Sequence, residues 1–267
     1  MPTWDPGQYA RFGNERTRPF IDLIARIGAE SPAVVVDLGC GNGPATLVLA
    51  ERWPDARIIG VDNSEAMIDA ARELDADGRV EWVLGHLETW DPASIGDPVD
   101  VITSNAALQW VDGHRDLLGG WVAALAPDGW LAVQVPGNFS APSHRLMRTI
   151  GEEHPRWEVI EAALQRPRSD DPSDYLETLV ATGATSDVWE STYLHVLDPE
   201  GAQENPVLDW VRGTGLRPVL EALTDEGERA AYLEAYAAAL AEAYPRTSAG
   251  VVLPFRRIFA VAHKESE

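Results

Sequence analysis

The sequence predicts an α/β fold: a doubly wound, mostly parallel seven-stranded sheet with a helical cap insertion. Two observations carry that expectation. The β-branched apolar run Ala33-Val34-Val35-Val36-Asp37-Leu38 ends in Gly39-Cys40-Gly41-Asn42-Gly43 and leads into a helical pattern. Strand and helix patterns then alternate at the spacing of βαβ units, and a strand apolar on both faces belongs to a parallel sheet covered on both sides.

The elements follow in chain order. Tyr9 to Phe20 is aromatic and basic and leads into Ile21 to Ile27, whose apolar spacing is helical, so residues 1–30 read as a helical lid. After the first strand and its glycine turn, Pro44 suits the first position of a helix and Pro54 stops it after Trp53. Strands at 57–61, 80–84, 99–103 and 130–135, with helices at 64–74 and 112–125, continue the alternation with right-handed crossovers and make 31–135 the core. From 136 to 184 helical patterns are broken by prolines without a comparable strand. That stretch and 198–247, which includes the Ala- and Glu-rich segment Glu221 to Tyr244, read as a helical cap. Residues 187–197 and 251–262 are two long strands that complete the sheet with an antiparallel edge. All 267 residues fit one elaborated domain.

Composition excludes several classes of function. The chain has 43 acidic and 21 basic residues, a net charge of −22, whereas phosphate backbones and anionic membranes are bound through clustered Lys and Arg. A nucleic-acid or membrane partner is therefore not expected. A small anion remains compatible with a local basic pocket, because screening confines the repulsion to about 8–10 Å. Met1 to Asp5 lacks the basic and apolar regions of an export signal, and Cys40 is the only cysteine, so a reducing cytoplasmic setting is expected. No signal for an oligomeric state is present.

The chemistry concentrates after the first strand. Asp37 closes the strand, and Gly39, Gly41 and Gly43 alternate before a helix, where backbone can approach a ligand at the carboxyl ends of the sheet. A dinucleotide fingerprint would need a third glycine at position 44 or 46, and these are Pro44 and Thr46. Asp62 ends the second strand 19 residues after Gly43. From there a carboxylate accepts hydrogen bonds from ribose hydroxyls or, with Asn63 and Ser64, caps the next helix.

These residues carry a resemblance. The Asp-x-Gly-x-Gly-x-Gly loop with Asp62 resembles the class I methyltransferases, whose sheet is Rossmann-like. A wider set is similar to the trans-aconitate 2-methyltransferases: Trp4, Tyr9, Phe12, Arg16, Arg18 and Pro19; Ser104-Asn105-Ala106-Ala107-Leu108-Gln109-Trp110; Val133-Gln134-Val135-Pro136-Gly137-Asn138; Asp209-Trp210-Val211; and Thr214-Gly215-Leu216-Arg217-Pro218. The resemblance implies S-adenosylmethionine as cofactor and S-adenosylhomocysteine as product. It assigns Asp37 and Asn63 to cofactor binding, the glycine loop to the methionine part, Asp62 to the ribose, the Asn105 carbonyl to the methionine moiety, and Tyr9 and Arg16 of the lid to the cofactor. Where such enzymes often carry an acid after the third strand, this chain has Gly85-His86-Leu87-Glu88. There His86 meets the adenine edge, or the Leu87 N–H does, or neither.

The implied reaction is O-methylation of one carboxylate of trans-aconitate or a similar polycarboxylate, giving a monomethyl ester. No catalytic triad is evident, and His114, His144, His154, His195 and His263 show no metal spacing. A carboxylate with a pKa near about 4 is already ionised at neutral pH, so positioning can suffice and no catalytic side chain or metal is expected. Arginines hold carboxylates bidentately. The candidates are Arg16, Arg18, Arg217 and Arg257, each with the alternative of a surface ion pair; His144 and Tyr193 are neutral donors, and Trp110 and Leu108 are either pocket wall or core. Rival readings are a methyltransferase for another small metabolite, an NAD-dependent oxidoreductase, and a non-enzymatic binding module.

Overall fold

A computed structural model describes residues 13–165 and 169–266. Its strands are β1 (Val34–Leu38), β2 (Arg57–Asp62), β3 (Val80–Leu84), β4 (Val99–Asn105), β5 (Leu125–Pro136), β6 (Thr185–Leu197), β7 (Arg246–Thr247) and β8 (Gly250–Lys264). The sheet order is β3-β2-β1-β4-β5-β8-β6, the expected seven strands, with the two-residue β7 paired to β8 off that path. β1 to β5 pair in parallel, and β8 returns antiparallel to β5. All five residues of β1 are buried, as a central parallel strand requires. The chain direction of strand addition reverses at β1, between β2 and β4, which opens a crevice at the carboxyl ends of these strands.

The helices are α1 (Gly13–Ile24), α2 (Pro44–Arg52), α3 (Glu65–Leu74), α4 (Arg115–Ala124), α5 (Pro142–Glu152), α6 (Trp157–Leu164), α7 (Pro172–Val180), α8 (Pro206–Arg212), α9 (Arg217–Ala222) and α10 (Glu226–Ala243). α1 begins upstream of the apolar repeat, since Phe20, Leu23 and Ile24 mark only its buried face. Ser64 caps α3 by accepting from the Met67 N–H (3.4 Å). The helical segment expected over Glu221 to Tyr244 comprises the end of α9 and all of α10, which Asp225 starts by accepting from the Glu228 N–H (2.9 Å).

The chain divides into two compact units, and the division falls within β6 and β8. The described residues of the first are 13–136, 169–191 and 257–266. Its core joins Val36, Leu38, Ile59, Val61, Ile102, Leu131 and Val133 to Leu118 and Trp121 of α4. The second comprises 137–165 and 192–256. There α10 is fastened to α5 by the Tyr232 hydroxyl donating to the Met147 carbonyl (2.9 Å) and the Tyr236 hydroxyl to that of Ser143 (2.8 Å).

One boundary is corrected. α7, expected in the cap, belongs to the first unit: Tyr175 and Leu179 are fully buried in its core, and the Tyr175 hydroxyl lies 2.6 Å from Nε2 of His114, beside α4. Arg115 reinforces this with an ion pair to Asp170 at 2.6 Å. Among the described residues no helix is long and apolar enough to cross a membrane.

Candidate functional site

The glycine turn is built for two purposes. Gly39 and Cys40 both donate backbone N–H groups to the Val61 carbonyl (2.8 and 3.0 Å), which ties the turn to β2. A Cβ on Gly39 would sit 2.2 Å from the Ala107 Cβ, and one on Gly43 would sit 2.8 Å from the Trp82 ring. Protein packing therefore demands both. Gly41 differs: its φ is +56°, yet no described protein atom lies within 4 Å of an added Cβ. That position opens onto space a ligand can fill.

Two carboxylates frame the turn. Asp37 is 2% exposed and accepts from the hydroxyls of Thr46 (2.6 Å) and Thr103 (2.9 Å). Burial raises its pKa from 3.8 to about 6, against the two hydroxyls and helped by the nearby Asp62. It supports the turn from beneath, clamping β1, α2 and β4. Asp62 is half-buried and accepts from the N–H groups of Gly41 (3.0 Å) and Ser64 (2.9 Å). Burial raises its pKa too, opposed by the N–H groups of Ser64, Gly41 and Asn63. The Cys40 thiol is driven well above its ordinary pKa by burial and by Asp37 and Asp62, so it stays protonated and is no nucleophile.

At the end of β3, His86 is exposed, whereas the Leu87 side chain is buried in the core beneath the turn. After β4, Ala106 takes a left-handed conformation (φ 54°). It is held by its N–H to the Gln134 carbonyl (2.8 Å) and by Nε2 of Gln109 on its own carbonyl (2.6 Å). Leu108 is core, and Trp110 is partly buried.

Register and alternation put further groups on one sheet face. Asp37 pairs with Thr103, Asn105 with Gln134, Gln134 with Phe259, and Pro136 with Arg257. Side chains two residues apart share a face, so Asp37, Thr103, Asn105, Gln134, Phe259 and Arg257 share this one. Arg257 is 6% exposed and Gln134 1%. Oδ1 of Asn105, Oε1 of Gln109 and both amide atoms of Gln134 are buried without a hydrogen-bond partner among the described residues. Sequence reasoning gave Gln134 no role, although it lies in a segment that carries the resemblance and is a polar residue inside the apolar run Leu131 to Val135.

The remaining candidates divide. Arg18 is exposed on α1, the Arg16 side chain and Tyr9 lie outside the described residues, and Asn63 sits beside Asp62. In the second unit, His144 meets Phe139 edge-on at 5.5 Å and Tyr193 is buried and stacked on His195 at 6.4 Å. Arg217 pairs with Glu221 one turn on (2.8 Å).

Comparisons with known proteins bear on this site. A family model described as a methyltransferase domain matches residues 35–129. The trans-aconitate 2-methyltransferase of Streptomyces avermitilis is 50% identical, covering 100% of this chain and 98% of that protein. That of Azoarcus sp. is 46% identical, covering 98% and 99%. Among solved structures, Haemonchus contortus phosphoethanolamine N-methyltransferase 2, in complex with S-adenosylhomocysteine, aligns with a TM-score of 0.55 at 16% identity, over 93% of this chain and 53% of that one. The YcgJ protein from Bacillus subtilis aligns with a TM-score of 0.56 at 14% identity, over 94% and 99%. The structural likenesses show the fold.

Proposed function

Because this chain belongs to the trans-aconitate 2-methyltransferase family, we propose that it methylates one carboxylate of trans-aconitate, giving the monomethyl ester. The chain is an S-adenosylmethionine-dependent methyltransferase, and its residues fit that cofactor. Gly41 leaves open space beside the turn, Asp62 stands at its edge with oxygen lone pairs to spare, and Asn105 carries a buried, unbonded acceptor. In the reading proposed here Asp62 receives the ribose hydroxyls, the Gly41 backbone borders the methionine part, and Asn105 accepts from the ammonium group. Adenine then lies toward β3, against His86 and the Leu87 N–H.

When bound, the cofactor supplies a methyl group already activated by its sulfonium. The acceptor carboxylate is ionised at neutral pH, so the protein needs no general base and acts by holding the anion in line. The observation that supports an anionic acceptor is Arg257, a guanidinium 6% exposed, on the same sheet face as Asn105 in a chain of net charge −22. A carboxylate ligand meets such a guanidinium through a bidentate, charge-assisted pair.

The test is a panel of di- and tricarboxylic acids offered with isotope-labelled S-adenosylmethionine, with mass identification of the ester. Transfer of label to trans-aconitate above the other acids is expected. Label reaching no polycarboxylate overturns this reading.

A further inference from the structure

We propose that the Gln134 carboxamide, in register between Asn105 and Phe259 and diagonal to the buried Arg257, is a binding group for the acceptor's carboxylate. The inference rests on the carboxylate-methylating reading above and adds a residue to it.

Gln134 is anomalous as a core residue. It is 1% exposed, yet among the described residues neither its amide nitrogen nor its oxygen has a hydrogen-bond partner. Buried side-chain amides are nearly always bonded, and leaving one unbonded destabilises a fold. Two neighbours each carry one further buried acceptor without a partner among the described residues, Oδ1 of Asn105 on the same face and Oε1 of Gln109 in the turn after β4. Gln109 already spends its nitrogen on the Ala106 carbonyl, which itself belongs to the left-handed turn bonded to Gln134's backbone. Backbone is thus held rigidly around Gln134 while its side chain stays unbonded. Such an arrangement suits a ligand that completes it.

Position along the sheet selects the ligand. The glycine turn and Asp62 place the cofactor over β1 and β2, and neighbouring strands are about 4.8 Å apart. In the order β2-β1-β4-β5-β8, Asn105 is one strand beyond β1, Gln134 two and Arg257 three. The groups past Asn105 therefore face whatever lies beyond the cofactor's methionine end, which for a methyl transfer is the acceptor. Gln134 offers two N–H donors to a carboxylate, and Arg257 supplies the charge.

Gln134→Met keeps length and volume while removing both hydrogen-bonding groups, so stability and activity should move in opposite directions. Its thermal midpoint should rise by a few degrees, because an unbonded buried amide is gone. S-adenosylhomocysteine affinity by calorimetry should stay at the wild-type value, and kcat/KM for trans-aconitate should fall about 10- to 100-fold, the scale of a hydrogen bond to a charged group. Gln134→Glu should lose more activity than the Met variant, since it sets a carboxylate against the acceptor. Gln134→Leu serves should the Met variant not fold. A variant less stable than wild type with kcat/KM unchanged makes Gln134 a packing residue and overturns the inference. A loss of S-adenosylhomocysteine affinity in step with activity also overturns it, by moving the group to the cofactor. Wild-type protein that methylates no polycarboxylate overturns the proposed function itself and this inference with it, an outcome distinct from an active wild type whose Gln134 variants are unaffected.

Discussion

Asp37→Asn removes a charge that the fold holds unfavourably. The carboxyl is 2% exposed, and burial outweighs the Thr46 and Thr103 hydroxyls to raise its pKa from 3.8 to about 6. A raised carboxyl pKa means that the folded chain binds the proton more tightly than the unfolded one. The contribution of Asp37 to stability is therefore greatest below the unfolded value, declines as pH rises from 3.8 to about 6, and is flat above. At about 1.4 kcal/mol for each tenfold change in proton affinity, that window is worth roughly 3 kcal/mol. Asparagine keeps one carbonyl acceptor for a threonine hydroxyl and presents an N–H₂ to the other, which can rotate to accept. Other carboxylates add their own pH dependence, Asp62 raised by burial and Glu81 lowered by its hydrogen bond from Arg57, so the informative quantity is the difference between variant and wild type at each pH. Urea unfolding should find the two alike at about pH 4, with the variant gaining through the window and at least as stable as wild type at neutral pH. Parallel profiles, or a variant less stable by roughly 3 kcal/mol at neutral pH, would refute the burial argument.

The turn's glycines should separate by readout. Gly41→Ala forces a left-handed alanine and should lose roughly 1–2 kcal/mol of stability together with S-adenosylhomocysteine affinity, whereas Gly39→Ala drives a methyl group to 2.2 Å from Ala107 and should fail first in thermal unfolding. Calorimetry on a folded Gly41→Ala protein that binds the ligand normally would remove the turn from the cofactor site. Asp62→Ala deprives the Gly41 and Ser64 N–H groups of their acceptor and should weaken S-adenosylhomocysteine binding by about 1–3 kcal/mol; undiminished affinity would return Asp62 to the role of a cap. Arg257→Met should cut kcat/KM for trans-aconitate about 10- to 150-fold with cofactor affinity intact, while Arg217→Met, which breaks the pair with Glu221, should leave kinetics near wild type. Equal effects in steady-state assays would contradict the distinction between these two arginines.

Much of this protein was legible in the chain because its signals are local. The apolar run ending at Leu38, the alternating glycines and the spacing to Asp62 each encode a conformation within a few residues, and β1, the turn and β2 appear where those residues require. Periodicity told strand from helix, but it could not say what an amphipathic helix packs on. α7 reads the same in a cap or a core, and only its meeting with His114, 61 residues away in the chain, decides. The same limit separates Asp37 as ligand from Asp37 as support, since Thr103 comes from another strand, 66 residues on. Arg217 and Arg257 are one residue type with one sequence-level alternative, and a partner a turn away distinguishes the first while burial on β8 distinguishes the second. Gln134 is the extreme case. A glutamine in a buried strand is unremarkable until every neighbour is placed, because the absence of a hydrogen-bond partner is a property of the tertiary structure and not of the residue.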